Sequence, residues 1–147
     1  MEAVAIRFGY PCTMVDHERL NWILDLLVEK EAIHSGQKQD VLNRGRDQAR
    51  HILLDKRAQM RRMLGRHRVA YRVSSIELIA SFRFHRQHEP LERVDEGFIT
   101  ELVAEALDLP FVQLDPLKLD YRLVTNAFGG PFAERHLIVA IEDTDTS

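Results

Sequence analysis

The chain has 147 residues, 45% of them hydrophobic, and a formal net charge of −3, which suits about one domain with a core that stands without cross-links. Its single cysteine, Cys12, excludes an internal disulfide and fits a reducing compartment, with the thiol packed as a small buried hydrophobe. No apolar run reaches the roughly 18 residues of a membrane span, and the opening MEAVAIRFGYPC, with Glu2 and no basic leader, is not expected to act as a secretory signal. The expected location is the cytoplasm.

Residues 1–14 show no sustained periodicity. From Asp16, placed to cap a helix by accepting from the orphan N–H of Glu18 or Arg19, the apolar residues Leu20, Ile23, Leu24, Leu27 and Val28 recur at helical spacing. This stripe predicts an amphipathic helix over Asp16–Ile33, with Trp22 on the same stripe. Ser35-Gly36 interrupts, and Ser35 is the expected cap of a long helix, Gln37–Leu64. Its apolar positions (Val41, Ala49, Ile52, Leu53, Met60, Met63 and Leu64) are sparse, so most of its surface is polar and largely basic. Gly45 inside it costs about 1 kcal/mol of helix propensity, and Gly65 is its expected stop.

Val69–Val73 reads as extended or turn. Ser74 or Ser75 caps a short apolar helix, Ile76–Phe82, followed by a polar loop, FRFHRQHEPLER, with His85, His88 and Pro90. Asp95 caps a further helix whose expected buried face is Ile99, Leu102, Val103, Ala106 and Leu107. Leu109 precedes Pro110 and is pushed out of the helical region, which ends that helix. Phe111–Leu114 reads as a strand, Asp115-Pro116 as a turn and Leu117–Val124 as a short helical turn. Beyond the break at Gly129-Gly130-Pro131, one helical turn over Pro131–Arg135 and a strand, HLIVAI over His136–Ile141, are expected before a frayed polar end. The fold class is α+β: a helix-dominated domain with a small C-terminal β element. A basic helical portion, 1–90, and a mixed portion, 91–147, meet at the His85–Pro90 loop within the same domain.

Charge is unevenly spread. Ten of the twenty Lys and Arg lie between Arg44 and Arg72, against Asp47 and Asp55 alone. That asymmetry points to an acidic or polyanionic partner, contacted by Arg57, Arg61, Arg62, Arg66 and Arg68. Nucleic acid is one alternative, although no helix-turn-helix or aromatic-interleaved RNA motif accompanies the charge. Trp22, Leu24 and Leu27 on the first helix are candidate apolar anchors for a partner helix, weighed against packing on the chain's own core. His85 and His88, with Glu89, lack a third strong metal ligand and read as ordinary loop residues. Glu101 and Glu105, four apart, read as a solvated helix face and not as an acid–base pair. No catalytic residue is assigned.

The segment FITELVAEALDLPFVQLDPLKLDYRLVTNAFGGPFAERHLIVAI resembles the N-terminal domain of the type II secretion and type IV pilus assembly ATPases, the GspE/PilB family, whose N-terminal domain is also called MshEN. There a helix reading roughly "L…ALAEQLGLPFVDLDP" precedes an "L.P…A.RH..LPL" segment. Leu102, Ala106, Leu107, Leu109-Pro110-Phe111-Val112, Leu114-Asp115-Pro116, Ala133 and Arg135-His136 fill those places. Upstream, Leu26-Leu27-Val28-Glu29-Lys30-Glu31-Ala32-Ile33 resembles the family's "LLVEKGLI" opening. The resemblance implies a non-catalytic docking and regulatory domain ahead of a hexameric P-loop ATPase. Its partners would be the cytoplasmic domain of an inner-membrane platform protein and the ATPase domain of the parent, and its location cytoplasmic, peripheral to the inner membrane through those partners. None of the seven glycines sits in the G-x-x-x-x-G-K-[ST] context that cradles phosphates. The chain is expected to be a fragment or a stand-alone accessory domain, and an end at IEDTDTS, just after a strand in need of partners, favours the fragment.

Some members of that family bind cyclic di-GMP through paired motifs resembling R-L-G-x-x-L-V-x-x-G-x-I. Aligning Leu27-Val28 and Ile33 puts Trp22 at the Arg place, Leu24 at the first Gly and Glu31 at the second. The second copy, within Tyr71–Val94, is interrupted by FRFHRQHEPLE. With the diagnostic residues largely missing, no cofactor is expected, and sensing of cyclic di-GMP is kept as an alternative function.

Overall fold

The computed structural model describes residues 16–65 and 71–115, together with residues 117, 118, 120, 122, 126 and 129. Among the described residues four helices follow in order: α1, His17–Glu29; α2, Ser35–Leu64; α3, Ser75–Ser81; and α4, Glu96–Ala106. The helix-dominated part of the expected fold is therefore present. No strand occurs among the described residues: Phe111–Leu114 is irregular and has no ladder partner there to satisfy its backbone groups. The expected helical turn Pro131–Arg135 and strand His136–Ile141 lie outside the described residues. The chain divides into two compact units, Thr13–Phe111 on one side and Met1–Cys12 with Val112–Ser147 on the other. In the sequence reading the two portions met at 90/91. α3 and α4, on either side of the His85–Pro90 loop, contribute to one core.

Each helix in Thr13–Phe111 opens on a side-chain cap that accepts an orphan N–H. Asp16 Oδ1 accepts from the N–H of Glu18 at 3.1 Å and of Arg19 at 3.4 Å. Ser74 Oγ accepts from the N–H of Glu77 at 3.0 Å, and Asp95 Oδ1 from that of Phe98 at 2.8 Å. On α2 the cap is His34 and not the expected Ser35. Its Nδ1 accepts from the N–H of Gln37 at 3.3 Å, while Gln37 Oε1 accepts from the N–H of His34 at 3.0 Å. This reciprocal capping box draws Ser35 into the first turn.

The C-termini share a second device. Glu31, Arg83 and Asp108 each have φ +54°, the left-handed region that costs an L-residue roughly 1–2 kcal/mol. At the end of α1, Glu31 N–H donates to the Val28 carbonyl at 3.0 Å and Ala32 N–H to that of Leu27 at 2.9 Å. At the end of α4, Asp108 N–H donates to the Glu105 carbonyl at 3.1 Å and Leu109 N–H to that of Ala104 at 2.8 Å. Both are Schellman closures with a non-glycine residue at the left-handed position. The closure at Glu31 stops α1 before the expected Ile33 and turns Ala32 and Ile33 inward, where both are buried.

The core is built from Leu20, Ile23, Leu24 and Leu27 of α1, the Ala32–Ile33 turn, Val41 of α2, Ile76, Leu78 and Ile79 of α3, and Val94 with Ile99. A Cβ on Gly45 would stand 3.4 Å from Leu78 Cδ2, so the residue expected only to weaken α2 is also where α3 comes close to it. On α4, Ile99 and Ala104 are buried and Leu102 and Val103 half-buried, whereas Ala106 and Leu107 are exposed. The expected buried face is corrected at those two positions. The helix closes at Ala106, and Leu107 is a C-cap with φ −96°, ψ 4°, off the helical stripe.

Candidate functional site

α1 places the three candidate anchors in different environments. Leu24 and Leu27 are fully buried in the chain's own core, and Trp22 is 43% exposed. A side chain without exposed surface presents nothing to a partner, so the stripe packs inward and only Trp22 keeps area for an apolar contact. The same burial bears on the cyclic di-GMP alignment: Leu24, at the place of the first motif glycine, has no surface facing solvent.

On α2 every candidate arginine that is described, Arg57, Arg61 and Arg62, is exposed. Arg66 and Arg68 lie outside the described residues. Three further arginines absent from the candidate set, Arg44, Arg46 and Arg50, are exposed on the same helix. With about 100° of rotation per residue, Arg46, Arg50, Arg57 and Arg61 fall within an arc of about 60°, whereas Arg62 points elsewhere. The spacing 46–50–57–61 was the signal that joins the first pair to the second. Two of the cations outside this arc have partners: the Arg44 guanidinium lies 5.8 Å from the Phe82 ring centroid, and Lys56 Nζ lies 3.8 Å from Glu77 Oε1 and 5.6 Å from the Tyr71 ring centroid.

The 83–94 loop is more tightly bonded than its polar sequence implied. His85 and Arg93 form an antiparallel bridge, Val94 N–H donates to the Phe84 carbonyl at 2.8 Å, and Arg86 N–H to that of Glu92 at 2.9 Å. The Arg86 guanidinium sits 3.8 Å above the Phe98 ring and reaches Glu89 at 2.9 Å. Gln87 N–H donates to the Ala32 carbonyl at 3.2 Å, and His88 Nε2 lies 2.9 Å from Glu31 Oε2, which fastens the loop to the α1–α2 turn. Lys30 ties α1 to α4 through Glu105 at 2.8 Å; that hydrogen bond and the carboxylate's charge raise the Lys30 pKa above 10.5. Among the described residues no group of three His, Cys, Asp or Glu side chains is arranged to hold a metal.

A cleft of ≈ 590 Å³ opens between α2, α3 and the start of α4, with Ile52 and Ala80 as apolar lining and Asp55, Lys56, Glu77 and Glu96 around them. Beside it the Tyr71 hydroxyl donates to Glu77 Oε1. Partial burial, then the hydrogen bond and charge of Glu77, raise the phenol above its ordinary 10.0. Because the folded-state pKa is the higher one, the contribution to stability is complete below pH ~10 and disappears as pH rises through the folded value. In a spectrophotometric titration, Tyr71 is expected to ionise at higher pH than a free tyrosine. Glu77→Gln should move that ionisation part of the way down, burial accounting for the remainder; an unchanged curve would show that Glu77 does not hold the phenol.

Compared with protein-family models, with curated proteins and with solved structures, the chain has no match.

Proposed function

We propose that the chain is a non-catalytic docking and regulatory domain of the type II secretion and type IV pilus ATPase family. It positions a motor on the cytoplasmic domain of an inner-membrane platform protein and transmits regulation to it. In this reading the chain is cytoplasmic, peripheral to the inner membrane through its partner, and its work is recognition without bond chemistry.

One observation carries the reading. The two family patterns that the sequence resembles, "LLVEKGLI" and "ALAEQLGLPFVDLDP", have glycine where this chain has Glu31 and Asp108. Both residues adopt φ +54°, the conformation glycine enters without steric cost. The backbone keeps the shape of the glycine while the side chain departs from it. Positive φ at these two places goes with the closure of α1 and of α4.

The lone tryptophan offers a direct test. Titrating the platform protein's cytoplasmic domain into this chain should shift Trp22 emission to the blue as its exposed part is covered. Trp22→Ala should weaken binding about tenfold or more, as truncation of a central aromatic anchor does, while the melting curve of the free chain keeps its shape. Unaltered Trp22 emission with no complex at saturating partner would overturn the reading.

A further inference from the structure

We propose that the arginine face of α2 is a docking surface for an acidic amphipathic helix of a protein partner. This deepens the docking function proposed above and rests on it for the identity of the partner. It rests on the geometry of α2 for the partner's chemistry.

α2 carries seven cations between Arg44 and Arg62, against Asp47 and Asp55. The turn-by-turn placement matters more than the total. Arg46, Arg50, Arg57 and Arg61 are all exposed, share the arc of about 60° and span roughly 22 Å of helix. Asp47 and Asp55 fall outside that arc. Among the described residues none of the four has a hydrogen bond, ion pair or ring contact. Two of their spacings, 46–50 and 57–61, are like-charge pairs at i, i+4, which lower helix stability by about 0.2–0.5 kcal/mol each. Among the described residues no contact offsets this repulsion.

The centre of the face decides between ligand classes. Leu53 and Leu54 lie midway along the axis between the two arginine pairs, one on either flank of the arc; Leu53 is half-buried and Leu54 is 56% exposed. An apolar centre with charges at both ends is the anatomy of a protein interface. A nucleic-acid backbone matches the guanidinium groups but sets charged phosphate against the leucines. A membrane-lying helix needs a broad apolar face with cations at its margins, and here the cations occupy the middle of the face at both ends. A second copy of this surface would bring arginine against arginine. A partner helix with carboxylates at i, i+4, i+11 and i+15 and apolar residues at i+7 and i+8 satisfies every position. The pattern reads the same in both directions, so the partner fits parallel or antiparallel. Carboxylates accept from guanidinium groups in charge-assisted, often bidentate bonds.

The test is fluorescence anisotropy with a labelled helical peptide that carries glutamates and leucines at those six positions, added to the full chain. Binding should weaken at least tenfold in a variant with Arg46→Gln, Arg50→Gln, Arg57→Gln and Arg61→Gln, and equally when the peptide glutamates become glutamines. It should persist in Arg62→Gln, outside the arc, and weaken with salt. The quadruple variant should melt no lower than the parent, since it removes exposed like charges, so lost binding is not lost folding. Equal affinity for the glutamine peptide would overturn the proposal. So would tighter binding, at physiological salt, to short duplex DNA or to vesicles of phosphatidylcholine with phosphatidylglycerol. Capture of the platform domain with undiminished affinity by the quadruple variant would refute this surface and leave the docking function standing. Peptide binding without platform binding would do the reverse.

Discussion

Leu27→Ala is expected to lower the melting temperature of the chain by about 8 °C or more. Leu27 is fully buried, and its carbonyl accepts from the N–H of Ala32 at 2.9 Å and of Ile33 at 3.3 Å. It therefore sits in the core and at the closure of α1 together. Truncating a buried leucine to alanine costs about 2–5 kcal/mol, the spread reflecting how far the cavity collapses. Each kcal/mol is worth roughly 4–8 °C in a domain of this size. Trp22→Ala, one and a half turns earlier on the same helix, should cost about 1 kcal/mol, because nearly half of that side chain already faces solvent. Thermal unfolding followed by far-ultraviolet circular dichroism separates the two. Similar losses in both variants would mean that the α1 stripe is not the core, and Leu27 would return to the list of surface anchors.

Glu31→Gly should act in the opposite direction and stabilise the fold by about 1 kcal/mol, raising the melting temperature by several degrees. The residue stands at φ +54° in a Schellman closure, where glycine removes the clash between Cβ and backbone. The exposed contact of Glu31 with His88, at 2.9 Å with both side chains mostly solvated, is worth little against that gain. Asp108→Gly should add a smaller increment, since aspartate tolerates the left-handed region better than glutamate. Glu31→Ala is the informative control: it also removes the His88 contact but keeps a Cβ, and should not stabilise. Destabilisation by Glu31→Gly in the absence of any effect of Glu31→Ala would argue against strain at this position, and with it against the observation that supports the family reading.

Much of the helical part of the fold was legible in local chemistry. Asp16, the Ser74-Ser75 pair and Asp95 announced three helix starts because a short oxygen-bearing side chain before an apolar repeat meets the orphan N–H groups wherever the helix is placed. Leu20, Ile23, Leu24 and Leu27 announced a buried stripe because a single face at helical spacing must be covered. The ends were less legible. α1 stops at Glu29 and α4 at Ala106, and in both cases the left-handed residue that closes the helix, Glu31 or Asp108, is charged and carries no glycine signature. His34 caps α2 through Nδ1, although imidazole is not among the short oxygen-bearing side chains that mark a helix start in sequence.

The candidate site divides along the same line. The sequence by itself determined that α2 is long, basic and thinly apolar, since composition and period are properties of the chain alone. Arg57, Arg61 and Arg62 are named as candidates on this ground, whereas Trp22, read on the apolar stripe as core or anchor, shows its exposure only in the structure. Only the tertiary structure decided which side of each helix is spent on the core. It withdrew Leu24 and Leu27 from the surface, brought the 83–94 loop onto the α1–α2 turn, and turned Gly45 from a weak point into the place where α3 approaches α2. It also left Arg46, Arg50, Arg57 and Arg61 on the uncovered face together. Periodicity fixes which residues share a face of a helix, but the neighbouring elements select which face meets water.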